Sequence, residues 1–304
     1  MNEFTTAVVT SLAIISIGYV AKRLRLLDIK STRELYKFLF TIPLPIVVFT
    51  SLASSSPDAE SLKLPLVGGL IAMILVGLSF VIGKILKLDR KTLGTLMTTA
   101  GITSTLSFAL PFILVFYGQE SARYLFLFDF GGAIVVWTFV YYISGVMGNK
   151  RGQSLNQALL NLIKAPMVWA LVLGFIVSVL GITVPDVVNS ISSKLASFVS
   201  VLILLGIGVF FVFNFFAYKK NFARLALGIF ITMILSALIA YVLTNLFGIT
   251  GVAQKVVIIS ALAPTGALAI PFCAEHDLDV EYASALLTTS TALAVIFVLF
   301  ALSP

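Results

Sequence analysis

The chain has 304 residues, of which 60% are hydrophobic and 11% charged, and its mean hydropathy is +1.10. Soluble domains carry charge on about a quarter of their residues, so this composition excludes a cytosolic enzyme, a disulfide-stapled secreted scaffold and a disordered chain. The formal net charge of +7 reads as loop charge on a polytopic helical membrane protein, with lipid and not nucleic acid around it.

Ten apolar segments follow in chain order, at roughly 5–21, 38–54, 64–83, 94–117, 123–147, 165–182, 195–217, 225–247, 253–274 and 282–302. Most have the ~17–25 residues that a membrane-spanning helix needs. The first is followed by its basic cluster instead of being preceded by one, so it is read as a helix and not as a cleavable leader. A β-barrel would alternate apolar and polar residues over about ten positions, and these runs do not.

Lys and Arg set the orientation. Lys22, Arg23, Arg25, Lys30, Arg33 and Lys37 follow the first segment; Lys84, Lys87, Arg90 and Lys91 the third; Lys150, Arg151 and Lys164 the fifth; Lys219, Lys220 and Arg224 the seventh. These sixteen face four on the other side: Lys63, Arg123, Lys194 and Lys255. The split places the odd-numbered connections in the cytoplasm and both termini outside. The ninth connection, with Glu275, Asp277, Asp279 and Glu281 but no Lys or Arg, departs from the pattern.

Ten helices divide into five and five, and an odd number per half inverts the second half relative to the first. The expected fold is all-α, with inverted repeats over 1–152 and 153–304 and no soluble domain. TLSFALPF at 105–112 matches TGALAIPF at 265–272, and IGYV at 17–20 echoes LGFI at 173–176. The matched Pro111 and Pro271 each remove a backbone donor from an apolar segment. In lipid the freed groups need protein, water or ligand. Two interrupted helices in corresponding places are the best sequence pointer to a transporter binding site, and half-helix N-termini suit an anion. The competing reading is that these prolines only shape packing.

Beside the breaks lie the hydroxyls Ser104, Thr105, Ser107 and Thr265. Thr98, Thr99, Ser260, Ser284, Thr288, Thr289, Ser290 and Thr291 fit helix packing better. Asp129 is the one acid well inside an apolar segment. An intramembrane acid is a functional candidate by default, for a coupling proton or cation, against a structural partnership with Arg123. Glu275 and His276 are further coupling candidates, although His276 fits a solvated loop better than a functional role. Asn214 and Asn245 are weaker. One Cys and one His build neither a disulfide nor a zinc site, and no catalytic motif is present. No enzyme activity, metal or cofactor is expected beyond a coupling proton or sodium ion.

The chain resembles the auxin efflux carrier family along nearly its whole length. The resemblance rests on IGYVAKRLRLLD at 17–28, LYKFLFTIPLPIVVFTSLA at 35–53, TSTLSFALPFILVFYG at 103–118, KAPMVWALVLGFIVSVLGITVP at 164–185 and ALAPTGALAIPFCAEHDLDVEYAS at 261–284. It implies two inverted five-helix repeats, an X-shaped crossing of the fourth and ninth helices at 104–111 and 264–271, a cell-membrane location, and often a homodimer. It implies transport of a small organic anion by alternating access. Pro264, Gly266 and the hydroxyls above would lie at the crossing, and Pro43, Pro45, Thr50 and Ser51 would face it. Family members often carry Asn and Gly where this chain has Ser104 or Thr105 and Ala109, which leaves the carboxylate-binding details open. The alternatives are a sodium-coupled symporter of the related bile acid type and an anion-sensing receptor with a transporter-like fold.

Overall fold

The computed structural model describes residues 3–55, 58, 60–148, 163–164, 166–210 and 222–301. Among them the architecture is all-helical, with no β-strand. Helix α1 (Glu3–Arg23) ends on Lys22 and Arg23, which suit the negative end of its dipole. Asp28 and Ser31 then form a reciprocal capping box that starts α2 (Ile29–Thr41). The Ser31 amide donates to Asp28 Oδ1 at 2.6 Å, and this bond holds the exposed Asp28 carboxyl below its ordinary pKa. Pro43 cannot continue α2 and opens α3 (Pro43–Ala53) from its first position, where a missing amide costs nothing. Helix thus begins well before residue 38, so Lys30 and Lys37 lie on α2 and not in a loop.

Next come α4 (Leu64–Ile85) and α5 (Arg90–Gly101), the latter capped by Asp89, which accepts from the Thr92 amide at 3.0 Å. The chain breaks at 102–104, makes a π-helical turn (Thr105–Ala109) and continues as α6 (Leu110–Tyr117). Helices α7 (Ala122–Val135) and α8 (Tyr141–Met147) join through a second π turn (Val136–Val140). The other half holds α9 (Pro166–Val179), α10 (Asp186–Phe210), α11 (Phe222–Ile229), a third π turn (Phe230–Leu235) and α12 (Ser236–Leu246). It ends with α13 (Gly251–Ala261), a second break, α14 (Ala269–Glu275) and α15 (Val280–Ala301). Helix α10 starts nine residues ahead of the expected 195. Lys150, Arg151, Asn214, Lys219 and Lys220 lie outside the described residues.

Among the described residues five stretches are long and apolar enough to cross a membrane: Lys30–Ala53, Ser61–Ile85, Gln119–Met147, Asp186–Val209 and Phe222–Leu246. Small residues bring their backbones together. A Cβ on Gly68 would strike the Phe128 carbonyl, and one on Gly131 the Pro65 carbonyl, so α4 and α7 touch backbone to backbone. Gly18 and Gly208 do the same for α1 and α10, against Leu205 and Ile15. Lipid tails are as apolar as leucine, and close packing of this kind is what drives helices together in a membrane.

Polar contacts sort the connections onto two faces. On one face Arg224 meets Asp89 at 3.5 Å, Lys91 meets Asp277 at 2.9 Å, and Arg90 donates to the Val146 carbonyl. On the opposite face Arg123 meets Asp58 at 3.4 Å, Lys63 donates to the Phe247 carbonyl, and Ser54 donates to Asn189. The acidic ninth connection therefore lies with the basic loops, and Lys91 neutralises one of its carboxylates. Burial pushes the Asp89 carboxyl up in pKa, but the Thr92 amide and hydroxyl and the Arg224 guanidinium outweigh it and hold the group below the usual carboxylate range. Burial likewise raises Asp58, and Ser61 and Arg123 more than reverse the shift.

Candidate functional site

The two breaks meet. Thr103 and Thr265 form an antiparallel bridge, flanked by the Ser104 amide donating to the Pro264 carbonyl at 2.8 Å and the Gly266 amide donating to the Ile102 carbonyl at 2.7 Å. Each interrupted helix thus satisfies the backbone groups of the other, as the apolar interior requires. A side chain on Gly266 would run into Ile102 and the Thr103 backbone, so the approach depends on glycine there.

A cavity of about 920 Å³ opens beside this crossing. Its wall includes Thr103, Ser104, Thr105, Ser107, Pro264, Gly266 and Pro271 from the crossing, Asp129, Gly132 and Val136 from one face of α7 and its π turn, and Ser236, Thr288 and Thr291 opposite. Tyr36, Lys37 and Phe40 of α2 form another part. The lining stops at Phe108 on the crossing helix. Beyond it Leu110, Phe112 and Ile113 are fully buried with Leu44, Val47 and Val48. The crossing helix beyond Phe108 is therefore closely packed and takes no part in the cavity.

Asp129 is half-buried on the cavity wall, which it shares with the Thr105 hydroxyl. Thr103 and Thr105 hydroxyls lie 3.3 Å apart, and Ser104 and Ser107 are bonded to each other. The Thr265 amide donates to Ser290 Oγ at 3.3 Å, while its own hydroxyl is buried without a partner among the described residues. Pro111 is buried one turn beyond the lining. In an α-helix its missing amide would have served the carbonyl of Ser107, and the π turn ahead of it absorbs that gap.

The structure places Pro45, Thr50 and Ser51 away from this cavity. They are buried in α3, where Thr50 bonds the Ile46 carbonyl and Ser192. Because Pro43 ends α2, it is the preceding turns, with Tyr36, Lys37 and Phe40, that reach the cavity. Sequence reasoning counted Lys37 for orientation alone and passed over Trp137 and Ser236. No local signal marks them, because each owes its place to a helix break or π turn elsewhere.

His276 is not a solvated loop residue. It is fully buried, and neither ring nitrogen has a hydrogen-bond partner among the described residues. Its ring packs edge-on to Tyr141 at 4.9 Å, and Tyr141 packs on Phe272 at 5.0 Å. Phe272 in turn meets the cavity residue Trp137 at 5.4 Å. The Tyr141 hydroxyl donates to Glu275 at 2.6 Å. Glu275 and His276 thus stand outside the cavity, joined to it through this aromatic row.

A family described as membrane transport protein matches residues 3–302. An uncharacterised transporter of Methanothermobacter thermautotrophicus is 22% identical over 96% of this chain and 95% of its own length. An uncharacterised transporter of Methanocaldococcus jannaschii is 24% identical over 94% of each chain.

Proposed function

Because the chain belongs to the auxin efflux carrier-like family of membrane transport proteins, we propose that it carries a small organic anion across the cell membrane by alternating access. The observation that carries this reading is the crossing of two interrupted helices on the wall of a large cavity lined by their hydroxyls. The helix Thr105–Tyr117 begins at the crossing, and the first amides of a helix have no carbonyl one turn earlier to bond. Together with the hydroxyls of Ser104 and Ser107 they can replace water around a carboxylate. Lys37, exposed at the cavity's other edge, favours an anion's approach. On the positive-inside rule the basic face is cytoplasmic, and the chain's two ends lie outside. The two halves of the sequence act as inverted five-helix repeats whose fourth helices cross.

A sodium-coupled symporter of the bile acid type is the second reading, and Asp129 on a wall that also carries the hydroxyls of Thr103, Thr105 and Ser107 is what favours it, since sodium takes oxygen ligands. Both are tested by currents from purified protein in liposomes on a solid-supported membrane. The panel holds indole acetate, malonate, malate and a bile acid, each with and without sodium. A saturable sodium-independent current supports the anion carrier. A strictly sodium-dependent one supports the symporter. Binding without transport by either current or tracer uptake would sink both and leave a receptor.

A further inference from the structure

The charges on the cavity wall suit more than a plain carboxylate. Asp129 is the one acid among the described lining residues and shares the cavity wall with the crossing; Lys37, the one base, lies on α2. None of the described salt bridges reaches Asp129. A bare carboxylate held by the start of the Thr105–Tyr117 helix would sit beside an uncompensated negative charge in a partly dehydrated site, and like charges there repel strongly. A second unmet group lies just behind the same wall. The Ser236 hydroxyl on α12 is fully buried, on the cavity wall, and without a hydrogen-bond partner among the described residues. A buried polar group of this kind calls for a ligand or a water.

We infer that the cavity takes a zwitterion whose ammonium and carboxylate are adjacent, that is, an α-amino acid with a large apolar side chain. The inference rests on the transport reading above and replaces its plain anion with a more specific solute. The carboxylate meets the first amides of the helix and Ser107. The ammonium meets Asp129, with Ser236 as a further acceptor. The side chain lies on Phe108, Phe128 and Trp137, which supply apolar wall to the same cavity. Opposite charges placed together orient the head group, and aromatic wall supplies the burial. A helix start beside a broken backbone is the arrangement by which discontinuous membrane helices hold a substrate carboxylate in general.

The test uses full-length protein in detergent and in liposomes with two matched sets. One is L-phenylalanine, 3-phenylpropionate and phenethylamine; the other is L-leucine, 4-methylpentanoate and isoamylamine. Ligand-induced thermal shift reads binding, and solid-supported-membrane current with tracer uptake reads transport. The expected result is that an amino acid binds about tenfold or more tighter than either half-molecule, as a lost charge-assisted bond predicts. Asp129→Asn lowers amino acid affinity by a similar factor and leaves or improves that of the carboxylate. The wild-type series stands even if the variant fails to fold. Equal or tighter binding of the carboxylates overturns the inference and leaves the anion carrier intact. Sodium-dependent carboxylate transport lost in Asp129→Asn overturns it in favour of a coupling-ion site. Silence toward both sets overturns it as well, and the carboxylate panel of the preceding section then decides the anion reading by itself.

Discussion

Thr103 and Thr265 lie in opposite halves of the sequence, yet their backbones pair at the centre of the molecule. The bonds on either side belong to main-chain groups of Ser104, Pro264, Gly266 and Ile102. The contact is therefore indifferent to the threonine side chains and sensitive to loss of an amide. Thr103→Val should fold and purify as the wild type does. Ser104→Pro removes the donor to Pro264 and strands a carbonyl in apolar surroundings, costing about 1–3 kcal/mol. Thermal unfolding in detergent should show the second variant melting lower; identical melting of all three proteins would remove the bridge from any structural role.

The prolines flanking the crossing should act on transport before stability. Pro111→Ala restores an amide for the Ser107 carbonyl and draws a cavity-lining group back into a regular helix. Pro271 stands in the first turn of α14 on the cavity wall, where proline is tolerated. Each alanine variant should express at near wild-type level and lose most of its liposome current. Normal current in both would mean the breaks are set by the bridge alone.

The glycine contacts should tolerate no side chain. Gly131→Ala places a methyl group against the Pro65 carbonyl, and Gly18→Ala one against the Leu205 carbonyl. Overpacking of this kind costs about 1–3 kcal/mol. Both variants should unfold at lower temperature than Gly77→Ala, where a Cβ meets nothing within 4 Å.

Acid should weaken the cap of α5. The folded pKa of Asp89 is depressed, so its contribution is complete above the unfolded carboxylate value, about 4, and fades as pH falls through the lower folded value. Asp89→Ala should cost about 1 kcal/mol at neutral pH. The gap between it and the wild type in thermal unfolding should narrow below pH 4. A gap that widens on acidification would contradict the assignment.

His276 should be replaceable by a hydrocarbon ring. Its buried imidazole makes no hydrogen bond among the described residues, so removing its nitrogens forfeits nothing and relieves a desolvation cost. His276→Phe should melt within about 1.5 kcal/mol of the wild type or above it. His276→Ala, which leaves a hole beside Tyr141, should lose at least 2 kcal/mol or so. A Phe variant as damaged as the Ala variant would show that a ring nitrogen has a partner after all.

Composition and the run lengths of apolar residues made the helical membrane architecture legible, because in lipid hydrophobicity is written along the whole segment. The matched Pro111 and Pro271 marked the two breaks, since proline acts locally and leaves its signature in place. What stayed hidden depends on three-dimensional approach. The burial of His276 follows from α5 and α8 closing over a connection that reads as acidic loop. The remoteness of Thr50 and Ser51 follows from Pro43 ending one helix and starting another, which shifts the cavity face to Tyr36, Lys37 and Phe40. Lys37 looks like any loop lysine until α2 is seen to begin at Ile29.

The three π turns among the described residues, at Thr105–Ala109, Val136–Val140 and Phe230–Leu235, sit in the helices that wall the cavity. Each accommodates a residue more than a regular helix would, and one residue corresponds to about 100° of rotation. Deleting a single residue there would turn everything beyond it by that angle while leaving composition and hydropathy untouched. In this chain, length changes of one residue inside a membrane helix are therefore a stronger lever on which side chains meet the solute than substitutions of the side chains themselves.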